Sequence, residues 1–206
     1  MFSKYELLYL INILDYYEPG LVRIIEYYIN TYTVKTNKEL KQIVSFYYNN
    51  RNKEYSKKYG NISYWDVSNI TIMNGLFIDY KMGNDMNNDI SRWDVSNVID
   101  MSFMFWCLDN FNQPLNNWNT SKVTNMSAMF NCASSFNHPL NNWDVTNVTA
   151  MIFMFSKAES FNQPLDSWNV SCVTRMEKIF FNIKDFNLNQ PETIKHFKKY
   201  TEQLIT

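Results

Sequence analysis

The sequence predicts a repeat protein of mixed α/β class: a solenoid of about five coils, each about 25 residues long, with a helical head and a C-terminal helix as caps. Trp93, Trp118, Trp143 and Trp168 follow one another at a constant interval, and Trp65 precedes them at a slightly longer one. Such self-similarity at a fixed period is the signature of stacked repeats. Composition agrees, because 17% aromatic residues, 11 Met and only 4 Gly require an interior filled by rings and flexible thioethers.

Residues 1–59 are predicted to form the helical head. Hydrophobic patterning predicts helices over residues 2–17 and 21–30, separated by Pro19-Gly20. Thr36-Asn37-Lys38-Glu39 has the spacing of a capping box, in which Thr36 accepts a backbone N–H and Glu39 reaches back. A unit of this size is expected to rely on the first repeat for stability. The helix that the box opens should end near Asn49-Asn50 and place on one face Leu40, Ile43, Val44 and Tyr47.

Residues 60–188 are predicted to form the coils. When the copies are aligned on Trp, apolar residues recur about every third position, which fits short straight sides and tight turns better than one helix or an alternating strand. Pro114, Pro139 and Pro164 each precede an apolar column and predict an extended approach to a short strand. Extra residues at 80–83 predict a surface loop. Besides Trp, the apolar columns are Ile62, Ile90, Leu115, Leu140 and Leu165; Ile70, Val98, Val123, Val148 and Val173; Met73, Met101, Met126, Met151 and Met176; Leu76, Met104, Met129, Met154 and Ile179; Phe77, Phe105, Phe130, Phe155 and Phe180; and Met86, Phe111, Phe136, Phe161 and Phe186.

Polar columns predict how the turns are held. An Asn at every copy can hydrogen-bond backbone groups of its own and the next coil, which predicts an amide ladder in preference to a ligand site. A Ser or Thr two residues after Asp or Asn is typical of turn and cap hydrogen bonds. Residues 189–206 are expected to form the C-terminal capping helix. The Asn column is Asn87, Asn112, Asn137, Asn162 and Asn187, and the Ser/Thr column is Ser68, Ser96, Ser121, Thr146 and Ser171.

Charge and cysteine usage limit the function classes. A net charge of -1 argues against general nucleic-acid binding, and no apolar run approaches the ~18 residues of a membrane span. The N-terminal segment is a poor signal peptide, so we expect no membrane insertion and an intracellular protein.

Cys107 and Cys132 occupy the same place in adjacent repeats while Cys172 lies in another column. A Cys107–Cys132 bridge is geometrically conceivable, but small, buried free thiols are the favoured interpretation.

The repeats resemble a known family. Trp93-Asp94-Val95-Ser96-Asn97-Val98, Met101-Ser102-Phe103-Met104-Phe105 and Phe111-Asn112-Gln113-Pro114-Leu115 are similar to BspA-like leucine-rich repeats, in particular to the lipoprotein-type variant with the Trp-Asp-Val-Ser signature. The resemblance implies a right-handed, leucine-rich-repeat-like solenoid used for adhesion and protein binding, without catalytic residues. Lys58-Tyr59-Gly60-Asn61-Ile62 before the first signature also resembles intracellular members from protists and their large DNA viruses. For a viral member this implies the host cytoplasm or the virion.

Residues suited to catalysis or to a bound cofactor are scarce. An enzyme needs a nonrepeating set of acid, base or nucleophile, and His138 and His196 are the two bases that titrate near neutral pH. His138 stands where neighbouring repeats carry Gln113 and Gln163, so it is expected to be a turn residue. Cysteine spacing does not suit zinc, the Asp column is interrupted by Asn, and the glycines are scattered. We therefore expect no enzyme, no cofactor and no metal site.

Columns in which the copies disagree are the candidate partner-binding positions. Phe103 and Phe153 stand where other coils have Gly, Ala or Lys, and Trp106 and Phe181 share a column with Asn and Ser. If exposed, these aromatics would form a patch able to anchor a protein ligand; the alternative is that they fold over the core or the caps. Lys122, with Asn125 and Ala128, is a further variable position in its copy.

The leading hypothesis is a noncatalytic module for protein–protein interaction or assembly that uses the solenoid surface, with lateral self-association as a variant. Its partner proteins are not specified by the sequence. The alternative is an F-box-like ubiquitin-ligase adaptor with the repeats as substrate-binding domain, because Glu6-Leu7-Leu8 with Ile11 and Leu14 faintly resembles an F-box helix.

Overall fold

A computed structural model describes residues 31–50, 58–78 and 86–183. Within these ranges the chain forms the α-helix α1 (Asn37–Asn50) and a 3₁₀ helix (Ile62–Tyr64), and residues 58 and 59 are also α-helical. No extended strand occurs in the same ranges, where backbone pairing takes the form of isolated parallel bridges. The first two predicted helices, the 80–83 loop, Phe186, Asn187 and the predicted C-terminal helix lie outside the described residues.

The predicted capping box at the start of α1 is confirmed with one change. Thr36 Oγ1 accepts a hydrogen bond from Glu39 N at 3.1 Å, as expected. Glu39 reaches one residue further back, because its Oε2 accepts from Lys35 N at 2.8 Å while its Oε1 accepts from the Tyr32 hydroxyl. The bond with Tyr32 lowers the pKa of Glu39 and raises the pKa of Tyr32 to about 12. These hydrogen bonds connect the first turn of α1 to the segment that precedes it.

Helix α1 covers the first repeat. Its predicted inner face is buried in the same hydrophobic core as the repeats, and the Tyr47 ring meets Trp65 edge-on at a centroid separation of 5.8 Å. Tyr48 donates its hydroxyl proton to Asn88 Oδ1 at 2.7 Å, and burial raises its pKa. Just before the helix, Val34 N donates to Asp66 O at 2.9 Å. The described part of the head therefore packs against the first repeat.

Successive repeats lie side by side and exchange backbone hydrogen bonds. Along one edge of the second repeat every other N–H donates to the third repeat at 2.8–3.0 Å, and the pattern recurs in later repeats. Each inter-repeat bridge lies two residues after the Val-column residue of its repeat. The proline positions predict the extended segment at the Leu column, so the structure places the backbone pairing elsewhere in the coil. The donor–acceptor pairs are Met101–Asn125, Phe103–Ser127, Phe105–Met129 and Cys107–Asn131, and the inter-repeat bridges are Ile72–Asp100, Asp100–Asn125, Asn125–Ala150 and Ala150–Arg175.

Carbonyls of the Leu column are used by the tryptophans. From the second repeat to the fifth, the indole N–H of the Trp column donates to the Leu-column carbonyl of the preceding repeat, at 2.8 Å for Trp143 and Leu115, whereas Trp65 in the first repeat donates to Tyr59 O. Each of these carbonyls also accepts the backbone N–H of the Trp in its own repeat, as Leu115 O does from Trp118 N at 3.1 Å, so the buried indole N–H is satisfied by a second bond to the same oxygen. The Trp column therefore fills the core and also ties adjacent repeats together. The other pairs are Trp93–Ile62, Trp118–Ile90 and Trp168–Leu140.

Aromatic columns form continuous stacks through the core. Phe105 and Phe130 have ring centroids 5.3 Å apart, and Trp118 and Trp143 lie 6.3 Å apart with nearly parallel planes. All described residues of the predicted apolar columns are buried. The core is therefore built by repetition of the same ring at the same place, and its geometry depends on register.

Two positions in each of the second to fifth repeats, and the first of them also in the first repeat, have positive φ. Both are third residues of four-residue turns, as in the Met101–Met104 turn closed by Met104 N to Met101 O at 3.3 Å. This position favours Gly or Asn, because an L-residue with a larger side chain in the left-handed region costs about 1–2 kcal/mol. Most repeats nevertheless carry other residues here. The first such column, with φ of 54–58°, is Gly75, Phe103, Ala128, Phe153 and Lys178, and the second, with φ of 55–60°, is Cys107, Cys132, Lys157 and Asn182.

The predicted amide ladder and turn bonds are confirmed. Asn137 N donates to Asn112 Oδ1 at 3.0 Å, and Asn162 N donates to Asn137 Oδ1 at 3.0 Å. The ladder lies at the exposed edge of the coils and not in the interior. Thr146 N donates to Asp144 Oδ1 at 3.0 Å, and every repeat has the equivalent bond. The conspicuous polar columns thus stabilise the turns.

Candidate interaction surface

Phe103 and Phe153 are the most exposed of the candidate aromatics. Their side chains are 41% and 38% exposed, and both stand at positive-φ turn positions. Ala128 occupies the same position in the repeat between them and is only 2% exposed, so neighbouring side chains cover its methyl group. We call Phe103, Ala128 and Phe153 the aromatic stripe. It crosses three consecutive repeats.

Trp106 and Phe181 lie three residues further along their coils and are half-buried. Trp106 N donates to Phe103 O at 3.3 Å, so Trp106 follows the stripe directly in the same turn. The ammonium of Lys178 lies 5.1 Å from the centroid of the Phe181 ring, which is a cation–π contact. Both predicted interpretations therefore hold in part: Phe103 and Phe153 project outward, whereas Trp106 and Phe181 are partly covered.

Lys122 belongs to a different turn, the one between Trp118 and Val123. It is exposed, and its Nζ donates to Asn97 Oδ1 of the preceding repeat at 2.6 Å. The same column carries Asn147, whose side chain donates to Ser121 O of the preceding repeat at 2.7 Å. Lys122 thus makes an inter-repeat contact typical of its column, and it is not part of the aromatic stripe.

Ile99 was missed by the sequence reasoning. Its side chain is 44% exposed, and it stands four residues before Phe103. Other repeats have Thr in this column, and Thr149 Oγ1 donates to Thr124 O of the preceding repeat at 3.1 Å. Isoleucine cannot make that bond and exposes a methyl-rich surface instead. The departure from an otherwise constant Thr column was a signal that could have identified it.

The cysteines are free, as expected, but the prediction that they are buried is wrong. Cys107 and Cys172 are exposed and Cys132 is half-buried. The physical reason is the backbone: Cys107 and Cys132 occupy positive-φ turn positions that direct side chains away from the core. Partial desolvation of the sulfur and, next, the charge of Cys132 raise the pKa of the Cys107 thiol to about 11.

The titratable residues considered for chemistry serve the turns. His138 Nε2 lies 3.1 Å from Asn112 O, and Gln163 Nε2 donates to Asn137 O at 3.1 Å in the equivalent place, so His138 is a turn residue as predicted. The hydrogen bonds from Thr146 lower the pKa of Asp144.

Residues 31–50, 58–78 and 86–183 contain no group of three or more His, Cys, Asp or Glu side chains arranged to hold a metal ion. Over the same residues, no helix has the length and apolarity to cross a bilayer. His196 and the F-box-like residues Glu6 to Leu14 lie outside the described residues.

Comparison with known proteins gives one match. The sequence fits the family model described as Mycoplasma protein of unknown function, DUF285, over residues 41–143 and again over residues 79–193. These overlapping matches run from within α1 through the last described repeat. A search of the curated proteins and a search of the solved structures each found no match.

Proposed function

Since the chain belongs to the DUF285 family, described as Mycoplasma proteins of unknown function, we propose that it is a noncatalytic protein-interaction module that binds its partner through the aromatic stripe. We further propose that its repeats form a right-handed, leucine-rich-repeat-like solenoid. Within the BspA-like repeats we assign it to the lipoprotein-type variant with the Trp-Asp-Val-Ser signature.

The regular offset of the inter-repeat contacts supports the solenoid. Bridges, Trp-to-carbonyl bonds and ring stacks all join residues about one repeat apart, and they recur from the first repeat to the fifth. Proteins built in this way contact only their neighbours along the stack and present a long regular surface. The handedness and the likeness to leucine-rich repeats rest on the sequence resemblance.

The residues of the Trp-Asp-Val-Ser signature make hydrogen bonds that stabilise the fold. The Trp indole is bonded to the preceding repeat, and the Asp or Asn after it accepts the backbone N–H of the Ser or Thr. Residues that build every coil in the same way cannot distinguish one partner from another. Specificity therefore belongs to the columns that vary, which is where the aromatic stripe lies.

Exposure of Phe103 and Phe153 in the left-handed region is the observation that carries the proposal. Each costs conformational energy of about 1–2 kcal/mol relative to a residue that accepts positive φ, and each leaves a large ring in water. The fold does not require an aromatic there, because Gly75 and Lys178 occupy the same column with the same φ. The positive φ belongs to the column as a whole, so the exposed ring is what distinguishes Phe103 and Phe153, and an exposed ring that the fold does not require points to a use in binding.

The spacing of the stripe suggests the form of its partner. Phe103 and Phe153 are two repeats apart, which is about 10 Å at the ~4.8 Å separation of paired backbones. Two apolar side chains at i and i+7 of an α-helix are separated by a similar distance, about 10.5 Å along the axis. We therefore propose an amphipathic helix as the segment that the stripe binds.

The test uses substitutions that remove the rings but suit the backbone. Asn accepts positive φ, so Phe103→Asn with Phe153→Asn should leave the protein folded while removing both anchors. Phe46→Asn is the matched control, because Phe46 is 43% exposed on α1. Buried aromatic anchors contribute about 2 kcal/mol or more each, so loss of one should weaken binding about thirtyfold.

Partners are captured by crosslinking and quantified by mass spectrometry for wild type, the double variant and Phe46→Asn. We expect a set of proteins that wild type and Phe46→Asn enrich equally and that the double variant loses. Lys122→Ala should behave as wild type. Equal enrichment by all four proteins would refute the stripe as the binding site.

Self-association is distinguished by sedimentation of the purified protein. If a second copy is the partner, wild type should sediment as an oligomer at high concentration and the double variant as a monomer. An oligomer that persists in the double variant would place self-association on another surface.

A further inference from the structure

Two cysteines stand next to each other across adjacent repeats. Cys107 and Cys132 are the third residues of equivalent turns, with φ of 55° and 60°. In the other described repeats this column holds Lys157 and Asn182, so the pair occurs at one place along the stack. Repetition of the coil therefore juxtaposes two thiols that are one full repeat apart in sequence.

Backbone hydrogen bonds hold this juxtaposition from both sides. Cys107 N donates to Asn131 O at 2.8 Å, and Ser135 N donates to Asp109 O at 3.0 Å. Two residues before the cysteines, the Phe105 and Phe130 ring centroids are 5.3 Å apart. A disulfide needs Cα atoms about 4.4–6.8 Å apart, and adjacent paired backbones meet that requirement.

The two thiols are accessible and interact. Cys107 is exposed and Cys132 is half-buried, with its Sγ 3.1 Å from Asn131 Oδ1. Desolvation of the sulfur and, next, the neighbouring Cys132 raise the pKa of Cys107, so the Cys107 thiolate is disfavoured. Cys107 is therefore poorly suited to attack an oxidant first, which leaves that role to Cys132.

We propose that Cys107 and Cys132 form an oxidation site that closes to a disulfide between the second and third repeats. With hydrogen peroxide as oxidant, the Cys132 thiolate attacks one peroxide oxygen, the O–O bond breaks, and the departing hydroxide is protonated to water. The sulfur of Cys107 then attacks the resulting sulfenic acid, loses its proton and displaces a second water. Two thiols are oxidised and one molecule of hydrogen peroxide is reduced.

The disulfide would link two repeats beside the aromatic stripe, because the turns that carry Phe103 and Ala128 directly precede those that carry the two cysteines. Oxidation of the two cysteines does not require a bound partner, so either proposal can be refuted without refuting the other. Cys172 lies in another column, and it provides an internal reference thiol.

The test is peptide mapping of the full chain after treatment with hydrogen peroxide. Trypsin cleaves after Arg92, Lys122, Lys157 and Arg175, which puts each cysteine in its own peptide. We expect a disulfide linking peptides 93–122 and 123–157, and a fall in iodoacetamide-reactive thiols from three to one, reversed by dithiothreitol. The protein should remain a monomer on a nonreducing gel.

Variants separate the proposed site from general thiol oxidation. Cys172→Ser should still form the link, whereas Cys107→Ser should form none and should retain a sulfenic acid at Cys132. Cys132→Ser should react more slowly, because the first nucleophile is absent. Independent oxidation of both cysteines without a link, or links that form only between molecules, would overturn the proposal.

Discussion

Lys157 offers a direct measure of the strain that the repeat imposes on its turns. It is exposed, its φ is 58°, and it is the third residue of the turn closed by Ala158 N to Phe155 O at 2.9 Å. Its own N–H donates to Phe181 O at 2.8 Å, a bond that any residue other than proline keeps. Substitution therefore changes the conformational energy without removing a backbone contact.

The magnitude follows from two opposing terms. A left-handed L-residue costs about 1–2 kcal/mol, which Gly avoids, but Gly loses about 0.5–1 kcal/mol more in chain entropy on folding. Lys157→Gly should therefore raise the free energy of unfolding by about 0.5–1 kcal/mol. Lys157→Asn should do at least as well, because Asn accepts positive φ with a smaller entropy loss, and Asn182 occupies the same column.

Thermal unfolding provides the assay. At about 2–4 °C per kcal/mol for a chain of this size, the Tm should rise by about 1–4 °C. Lys157→Gln removes the charge alone and should leave Tm unchanged, and Glu159→Gly places Gly at an exposed position without positive φ and should lower it. If Lys157→Gly lowers Tm as much as Glu159→Gly does, the assignment of strain to this column is wrong.

Three further predictions concern other contacts. Trp143→Phe removes the indole bond to Leu115 O, which keeps Trp118 N as donor, and replaces a buried ring system by a smaller one, so denaturant titration should show a loss of about 1–2 kcal/mol; a loss below about 0.5 kcal/mol would contradict the role of the indole. Asn137→Ala should lower stability by about 1 kcal/mol whereas Asn137→Asp should be nearly neutral, because only the side-chain oxygen accepts the N–H of the next repeat; equal losses would refute the ladder. The pKa of Glu39 is lowered on folding by its bond with Tyr32, so its contribution is present above its usual pKa near 4.5 and disappears as pH falls through the folded value. The Tm difference between wild type and Glu39→Gln should therefore shrink on acidification below about pH 4.5, and a constant difference would argue against this linkage. The pKa of Tyr32 is raised to about 12, so its contribution is present below its usual pKa of 10 and is lost as pH rises through 12.

Residues that recur at a fixed period could be interpreted from the sequence. The burial of the Trp, Met and Phe columns follows from repetition, because a side chain that points inward in one coil points inward in the next. The sequence also predicted three sets of hydrogen bonds: the capping box at Thr36, the turn bonds of Asp144 and the ladder through Asn137. Each depends on local chemistry within one repeat or between equivalent places in two.

The candidate site could be predicted only in part. Variation within a column identified Phe103 and Phe153, but the same reasoning gave Lys122 equal weight and overlooked Ile99. The exposure of a side chain depends on the direction in which its turn points it and on the neighbouring side chains that cover it. Variation between repeats at that position reveals neither of these. Trp106 shows the difference, since it varies as much as Phe103 and yet is half-buried.

The sequence by itself determined the period of the stack, its core columns and the polar bonds that recur with them. Only the tertiary structure decided that Phe103, Cys107 and their equivalents lie at positive φ, because residues other than Gly and Asn give no local sign of that conformation. The hydrogen bonds between neighbouring repeats impose it on whichever residue occupies the position. That is why the cysteines face outward as an adjacent pair, and why two phenylalanines are held in water.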